Sequence, residues 1–545
     1  MRLHQVLPVL AALLGASLAE AKSVFAHYMV GNVASFSQAD WAKDIQLAQD
    51  SEGVRGGRGA ELQALLLLRL RGRGPWDKGV VTNYIKQYKT SPAYFLRDGR
   101  PLVSTFEGTG NTGDWPGIKS DTNAFFMPDY SSLGAQGAAA APGVDGLFSW
   151  DAWPVGASDK SSQVDKDYVS QLGGKPYMMP VSPWFFTNLP NYNKNRLWRG
   201  DDLWYDRWQQ VLDVNPDYVE IITWNDYGES HYIGPLYPAL YGVFGPNAGN
   251  APYNYVEDMP HDGWRAFLPY IIQKYKMGSA PADKEGLVTW YRTQPARACD
   301  TGGTAGNADY EPTVAPYDVV QDKIFFSALL NSAADVTVSV NGVNLPGASW
   351  RNTPAGGSGI YHGSVAYNGN RGAVVVTVSR SGGRVAQVQG ASITDDCKGR
   401  AENWNAWVGS AGSGALRLLT RLPPPRRRHR LPQPLLPTGT PASRVRGMAT
   451  SAAFARSLAT TTTAPPTCAA AHSAAAPSAR RPRRARRATR TSTCPGAAAT
   501  SASARSPGTT DTQITRRRAG RIPRVLRAAK RGLGPADAYG RARRT

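Results

Sequence analysis

Between residues 23 and 290 short β-type runs alternate with longer segments whose apolar residues recur every three or four positions. This alternation constrains the fold more than any other feature of the chain. The strand candidates are SVFAHYMV (23–30), LVSTFEG (102–108), NAFFMPDY (123–130), GLFSWDAW (146–153), PYMMPVSPWF (176–185) and YVEIITWNDYGE (218–229). Between them lie SQADWAKDIQLAQD, DKGVVTNYIKQYK and DDLWYDRWQQVLDV, which read as helices. Strands spaced by helices imply a parallel sheet with crossovers. Acids and aromatics sit where the strands end: Glu107, Asp129, Asp151, Trp153, Trp184, Asp226 and Glu229. Chemistry gathered at strand C-termini is what a (β/α)8 barrel shows, and no phosphate-binding glycine loop favours the doubly wound alternative. The expected fold class is α/β: a (β/α)8 TIM-like barrel over 22–298, a small β-sandwich over 299–407 and a disordered basic tail over 408–545.

The sandwich follows from a change of pattern. Residues 311–397 carry short alternating runs (DKIFFSALL, DVTVSVNGVNL, GIYHGSVAY, GAVVVTVSR, RVAQVQGASI) separated by Gly, Asn and Ser, with Asn341-Gly342 as a hairpin turn. Such a module accompanies carbohydrate-active domains, or serves only as a cap. Cys299 and Cys397 bracket it and make a plausible disulfide in an exported protein. No Cys/His grouping has zinc spacing, so no metal is expected.

The ends of the chain set its compartment and its partners. MRLHQVLPVLAALLGASLAEA (1–21) has a basic start, an apolar run and a small-x-small end, as a secretory signal peptide does. No other stretch approaches the ~18 apolar residues of a membrane span, so the expected location is outside the cell or in its wall, with no membrane partner. The net charge of +21 misleads: residues 411–545 hold 28 Lys+Arg against two acids, so the rest carries −5. The tail arginines stand among Ala, Pro, Ser and Thr with only Phe454 and Tyr539 as aromatics. Stacking on bases is therefore unsupported, and no nucleic-acid partner is expected.

One stretch concentrates the chemistry. In ITWNDYGESHYIGP (221–234) a β-run breaks into two acids three residues apart, Asp226 and Glu229. Glycosidic hydrolysis needs one carboxyl to protonate the leaving oxygen and a second to activate water or attack the sugar. A bend at Tyr227-Gly228 would bring the two into the range used by inverting enzymes. Trp224, Tyr227, His231 and Tyr232 would offer flat faces to sugar rings. A D-x-x-E spacing is common by chance, and a solvated turn would look the same.

FAHYMVGN, DWAKDIQLAQD, GPWDKG, MPVSPWFFTNLP and ITWNDYGESHYIGP together resemble the fungal α-1,3-glucanases (mutanases) of glycoside hydrolase family 71. The resemblance covers 23–50 and 72–407, including the sandwich and ENWNAWVGS. It implies endo-hydrolysis of α-1,3-glucan with inversion and without a cofactor. It places the acidic pair on Asp226 and Glu229, with Glu229 expected as general acid and Asp226 as the partner that positions or activates water. His27, Glu107, Asp151, Trp153 and Trp184 are further expected substrate contacts, each with a structural role as its alternative.

Residues 51–74 depart from that pattern. At about 30 residues per barrel unit the first and fourth strand starts should lie roughly 90 apart, and residues 23 and 102 are 79 apart. Where family members carry two strand–helix units, the second strand ending Phe-Asp-Tyr, this chain has AELQALLLLRLRG (60–72), with Arg69-Leu70 at the expected Asp. A permitted back-translation of Glu61–Arg71, read one base along, begins Ser-Phe-Lys-Leu-Phe-Phe-Ser-Phe-Asp-Tyr. The expectation is a reading-frame error over about 51–72 with lost sequence, and the same cause for the arginine-rich tail. A catalytically impaired glucan-binding protein is the alternative function this leaves open.

Overall fold

Strands β1 (Ser23–Ala26), β2 (Leu66–Arg69), β3 (Arg100–Phe106), β4 (Phe125–Phe126), β5 (Leu147–Phe148) and β6 (Tyr177–Val181) run parallel in one sheet. A hairpin, β7 (Phe186–Leu189) and β8 (Lys194–Leu197), follows β6, and β9 (Tyr218–Ile221) then returns to the sheet. The order across it is β2-β3-β4-β5-β6-β9-β1, with Asp129 bridging Phe106 and Phe148 where β4 is short. From β2 to β6 each strand thus lies beside its successor, and β9 lies between β6 and β1. The structure is a computed structural model that describes residues 22–52, 77–308 and 311–412, with the backbone of 66–69. The expected signal peptide, residues 53–65 and 70–76, and the basic tail beyond 412 lie outside the described residues. Among the described residues no helix is long and apolar enough to cross a membrane.

Helices α1 (Gln38–Glu52), α2 (Lys78–Tyr88), α3 (Trp115–Thr122), α4 (Gly134–Ala139), α5 (Gln163–Leu172), α6 (Leu203–Val214) and α7 (Leu268–Met277) separate the strands. One sheet face turns Val103, Phe126, Leu147, Met179 and Val219 into a core shared with helical Val81, Ile85, Ile118, Leu172 and Val211. The other face gathers Phe25, Leu102, Phe125, Met127, Phe148, Met178 and Tyr218. Because both faces are covered, YMMPV and YVEI are buried at every position and show no alternation.

The α/β class stands, but the closed barrel does not form among the described strands. β1 and β2 end the sheet without pairing to each other, and β1 is half-exposed where β9 is fully buried. The reason is length: the stretch between α1 and α2 supplies one described strand where a closed barrel needs two.

The sandwich begins before the expected boundary at 299. Strand β10 (Gly286–Tyr291) pairs with β11 (Lys323–Leu330) and with the last described strand, Trp407–Gly412, and β11 pairs with Gly359–Ala366. A second antiparallel sheet joins β12 (Asp335–Val340), Val374–Arg380 and Gly383–Gln389. The two sheets share a core of Leu287, Ile324, Phe326, Val338, Val376 and Val388. The first sheet also packs its outer face, through Val288, Trp290, Phe325 and Val408, against Leu268 and Ile271 of α7. This double burial explains why KIFFSALL does not alternate while DVTVSV, open on one side, does. Asn341 and Gly342 both take positive φ at the expected hairpin turn, and the Cys299–Cys397 disulfide is formed.

Candidate active site

The site starts from the end of β9. After Ile221 the chain stays tied to the sheet through Ile222 N–H to Val181 O (2.8 Å) and Trp224 N–H to His27 O (2.8 Å). It then folds back on itself: Thr223 N–H donates to His231 O (2.9 Å) and Ile233 N–H to Thr223 O (3.0 Å). Within this loop Asp226 N–H donates to Thr223 Oγ1 (3.0 Å), and Glu229 N–H donates to Asp226 Oδ1 (3.2 Å). The left-handed residue of the loop is Ser230 (φ 58°), not the expected Gly228. Gly228 instead allows close packing, since a Cβ there would lie 3.0 Å from Leu189 Cδ1.

The two carboxyls end in different environments. Glu229 is buried, with Lys194 Nζ donating to Oε1 and His231 Nε2 3.0 Å from Oε2. His231 Nδ1 lies 3.1 Å from Thr223 Oγ1, which fixes the ring. Burial alone would push the Glu229 carboxyl up, but Lys194 and then His231 pull it well below the usual range. The Asp226 carboxyl, half-buried, moves the other way: burial lifts it, and the neighbouring Glu229 charge lifts it further. Glu229 is therefore the held anion and Asp226 the one disposed to keep a proton. The sequence expectation had Glu229 as general acid and Asp226 as the partner that positions or activates water. Single ligand-type atoms of Asp226, Glu229 and His231 lie within 4.8 Å of one another, a spacing a cation could use. Both Glu229 oxygens are already committed, and the Lys194 ammonium stands where a cation would be repelled, so the donor set fits a metal poorly.

That spacing also places the acids closer than expected. Inverting enzymes keep their carboxyls about 6.5–9.5 Å apart to hold a water, whereas Asp226 and Glu229 approach within 4.8 Å.

The remaining expected contacts divide into two groups. Trp153 stays beside the pair, its ring 5.5 Å from His231 and stacked on Trp198 (5.3 Å), with Nε1–H donating to Trp184 O (2.9 Å). His27, half-buried, holds Glu220 Oε1 at 2.9 Å and meets the Trp150 ring edge-on. Glu107 accepts Ser132 N–H (2.8 Å) and Ser132 Oγ–H (2.5 Å), and Asp151 pairs with Lys160 (2.5 Å). Trp184, Trp224, Tyr227 and Tyr232, expected as sugar-facing rings, are buried instead. Trp184 donates to Trp404 O (3.0 Å), Tyr227 to Pro235 O (2.6 Å) and Tyr232 to Met259 O (2.5 Å). The polar atoms of these three hold them in place, whereas Trp224 Nε1 has no hydrogen-bond partner among the described residues. Lys194, Thr223, Asp129 and Glu220 were not anticipated as site residues. Asp129 is fully buried, its carboxyl pushed well up by burial and then by the charge of Glu107. Asp129 carried a signal as a strand-end acid, and Glu220 as an acid inside an apolar strand.

Comparisons with known proteins agree on a family. The profile of Glycosyl hydrolase family 71 matches residues 59–419. A mutanase of Penicillium rubens is 33% identical over 438 residues, 73% of this chain and 91% of that protein. A glucan endo-1,3-alpha-glucosidase of Schizosaccharomyces pombe is 30% identical over 427 residues, 71% of this chain and 94% of that protein. Among solved structures, a family 99 endo-alpha-mannosidase from Bacteroides thetaiotaomicron has a TM-score of 0.30 and 12% identity over 47% of this chain and 76% of that one. That likeness is too loose to bear on the site.

Proposed function

The chain belongs to glycosyl hydrolase family 71, and from that premise we propose that it cleaves the α-1,3-glucosidic bonds of α-1,3-glucan within the polymer. The observation that carries the reading is the pair of adjacent carboxyls in opposite charge states, Asp226 and Glu229, at the end of β9. In the reaction the bond from the anomeric carbon to the bridging oxygen breaks, and Asp226 gives its proton to that oxygen. Water adds to the anomeric carbon and gives up its proton to bulk solvent, from which Asp226 is reprotonated for the next turnover. Glu229, fixed as an anion, keeps the proton on Asp226 and favours the positive charge that builds on the sugar. No cofactor is needed for these steps. Residues 1–21 serve as an export signal, which N-terminal sequencing of secreted protein checks at Lys22.

The stereochemistry depends on a third group. The family resemblance implies inversion, which needs a group to take the proton of the attacking water. Arg69 ends β2 opposite Phe106, one residue before Glu107, where the shifted reading supplies an Asp. This observation favours a second reading, a glucan-binding protein impaired by loss of that carboxylate. An intact eight-stranded barrel is then the fold of the undamaged product.

The test is release of reducing sugar from insoluble α-1,3-glucan. The first reading expects release, reduced about 10²–10⁴-fold in Asp226→Asn and in Glu229→Gln; unchanged release in both variants sinks it. Binding without release favours the second. Sequencing the transcript across codons 45–80 decides whether β2 natively ends in Asp; a transcript matching the chain as written removes the frame-error explanation.

A further inference from the structure

The hairpin β7–β8 has no role in the chemistry as described so far, yet it carries the cation nearest the acids. Lys194 is the first residue after its turn and pairs with Leu189. The turn is held from several sides. Asn193 takes a positive φ of 56°, and Asn191 Nδ2 donates to Pro246 O (3.0 Å) and Ala248 O (2.8 Å). Next to Lys194, Asn195 donates to Gly302 O (2.7 Å) and accepts from Thr304 Oγ1 (2.7 Å). At the other end of the hairpin Phe186 N–H donates to Glu229 O (3.2 Å). The hairpin therefore grips the Glu229 backbone at one end and its side chain at the other.

We propose that Lys194 is a positioning residue for the reaction: it clamps Oε1 of Glu229 so that, of the two acids, Asp226 alone exchanges a proton with the substrate. The inference rests on the reading of Asp226 and Glu229 as the reacting pair. Burial supports the clamp, because the side chains of Lys194 and Glu229 are 11% and 3% exposed, and a flexible ammonium withdrawn from water is held by its partner. The charged and titratable groups facing Glu229 are Lys194 from β8, Asp226 and His231 from its own loop, and Tyr255, whose hydroxyl donates to Gly228 O (2.6 Å). Among them His231 could share the clamp. His231 Nε2 lies 3.0 Å from the other oxygen, Oε2, so Lys194 is the group on Oε1.

The test compares wild type, Lys194→Met and Lys194→Arg by two readouts. One is the pH–rate profile on α-1,3-glucan. The other is titration of the Asp226 and Glu229 carboxyl carbons by nuclear magnetic resonance, assigned with Asp226→Asn and Glu229→Gln. The expected wild-type result is a Glu229 signal that stays ionised to the acid limit of the fold and an Asp226 signal that titrates above the ordinary carboxyl range. In Lys194→Met the Glu229 signal moves up into or above that range. Its kcat falls about 10²-fold with KM within about threefold, and the profile is displaced. Lys194→Arg keeps the wild-type profile. The proposal is overturned if Lys194→Met keeps the wild-type kcat and profile, if its whole loss lies in KM, or if wild-type Glu229 titrates in the ordinary range. Should Lys194→Met fail to fold, the wild-type titration and Lys194→Arg still decide. A wild type that releases no sugar but shows the expected titration refutes only the activity.

Discussion

Glu402 offers the sharpest check on the electrostatics of this fold, because a single methyl-sized change in chemistry reverses its sign. The residue is 1% exposed and sits where the chain leaves the Cys299–Cys397 disulfide. Its Oε2 accepts Cys299 N–H (3.2 Å), while Oε1 has no hydrogen-bond partner among the described residues. Burial pushes the carboxyl up to about 8; Cys299 N–H and Arg292 oppose this, and the charges of Asp322 and Asp395 add to it. Relative to an ordinary Glu, ionisation in the folded protein then costs on the order of 4–5 kcal/mol more. The folded pKa is raised, so the group's contribution is fully present below about pH 4.5 and is lost as pH rises through about 8. Glu402→Gln keeps the shape and cannot ionise. At pH 4.5 the variant should differ from wild type by no more than about 1–3 kcal/mol, since both groups are neutral but the amide leaves two N–H donors unpaired where the protonated carboxyl leaves one O–H. At pH 8.5 it should be the more stable by several kcal/mol. Paired denaturant melts across this range read the difference, and every other group titrates alike in both proteins. A difference that stays flat from pH 4.5 to 8.5 refutes the argument.

Two further perturbations probe what holds the body together. Arg207, fully buried on α6, donates to both Asp165 oxygens (2.8 and 3.1 Å) and to Pro180 O (2.6 Å). Arg207→Met leaves the Asp165 charge buried alone and should cost about 3–5 kcal/mol in denaturant melts; a loss below about 1 kcal/mol contradicts a dry, tight pair. The disulfide closes a loop of sequence separation 98, so Cys299→Ser with Cys397→Ser should destabilise the fold by about 2–5 kcal/mol. An unchanged melting temperature would show that neighbouring packing already fixes those ends.

Much of the fold was legible because its signals are local. The six strand candidates of the body each contain a sheet strand, and the hairpin turn at Asn341-Gly342 needs no tertiary information to be read. What could not be read was how the sandwich joins the body. LVTWY resembles any buried strand, and its membership in the sandwich sheet is decided by pairing with Ser327 and Ser410, residues remote in sequence. The aromatic residues of the site misled for a related reason. A ring near an acid has the same sequence signature whether it faces a sugar or supports a loop. Only burial, as for Tyr232 stacked on His261 at 3.9 Å, separates the two.

The acids themselves were visible, but not their roles, because a carboxyl's charge state is set by what surrounds it. Lys194 lies in NYNKN, a stretch with nothing to mark it, and it reaches Glu229 only once β7 and β8 have paired. Residues 60–72 teach the converse. LLLRLRG looks unlike a barrel strand by composition, yet Leu66–Arg69 pairs in parallel with Val103–Phe106, where the next strand of the sequence order belongs. Position 69 then stands at the same level as Glu107 and Asp129, on the row of strand ends that carries the chemistry. β1 also leads directly into His27, whose carbonyl holds Trp224 and through it the acidic loop. The loop bearing Asp226 and Glu229 is thus tied to the sheet through β1 and β9, so the pairing of β1 bears on the site as well as on the sheet.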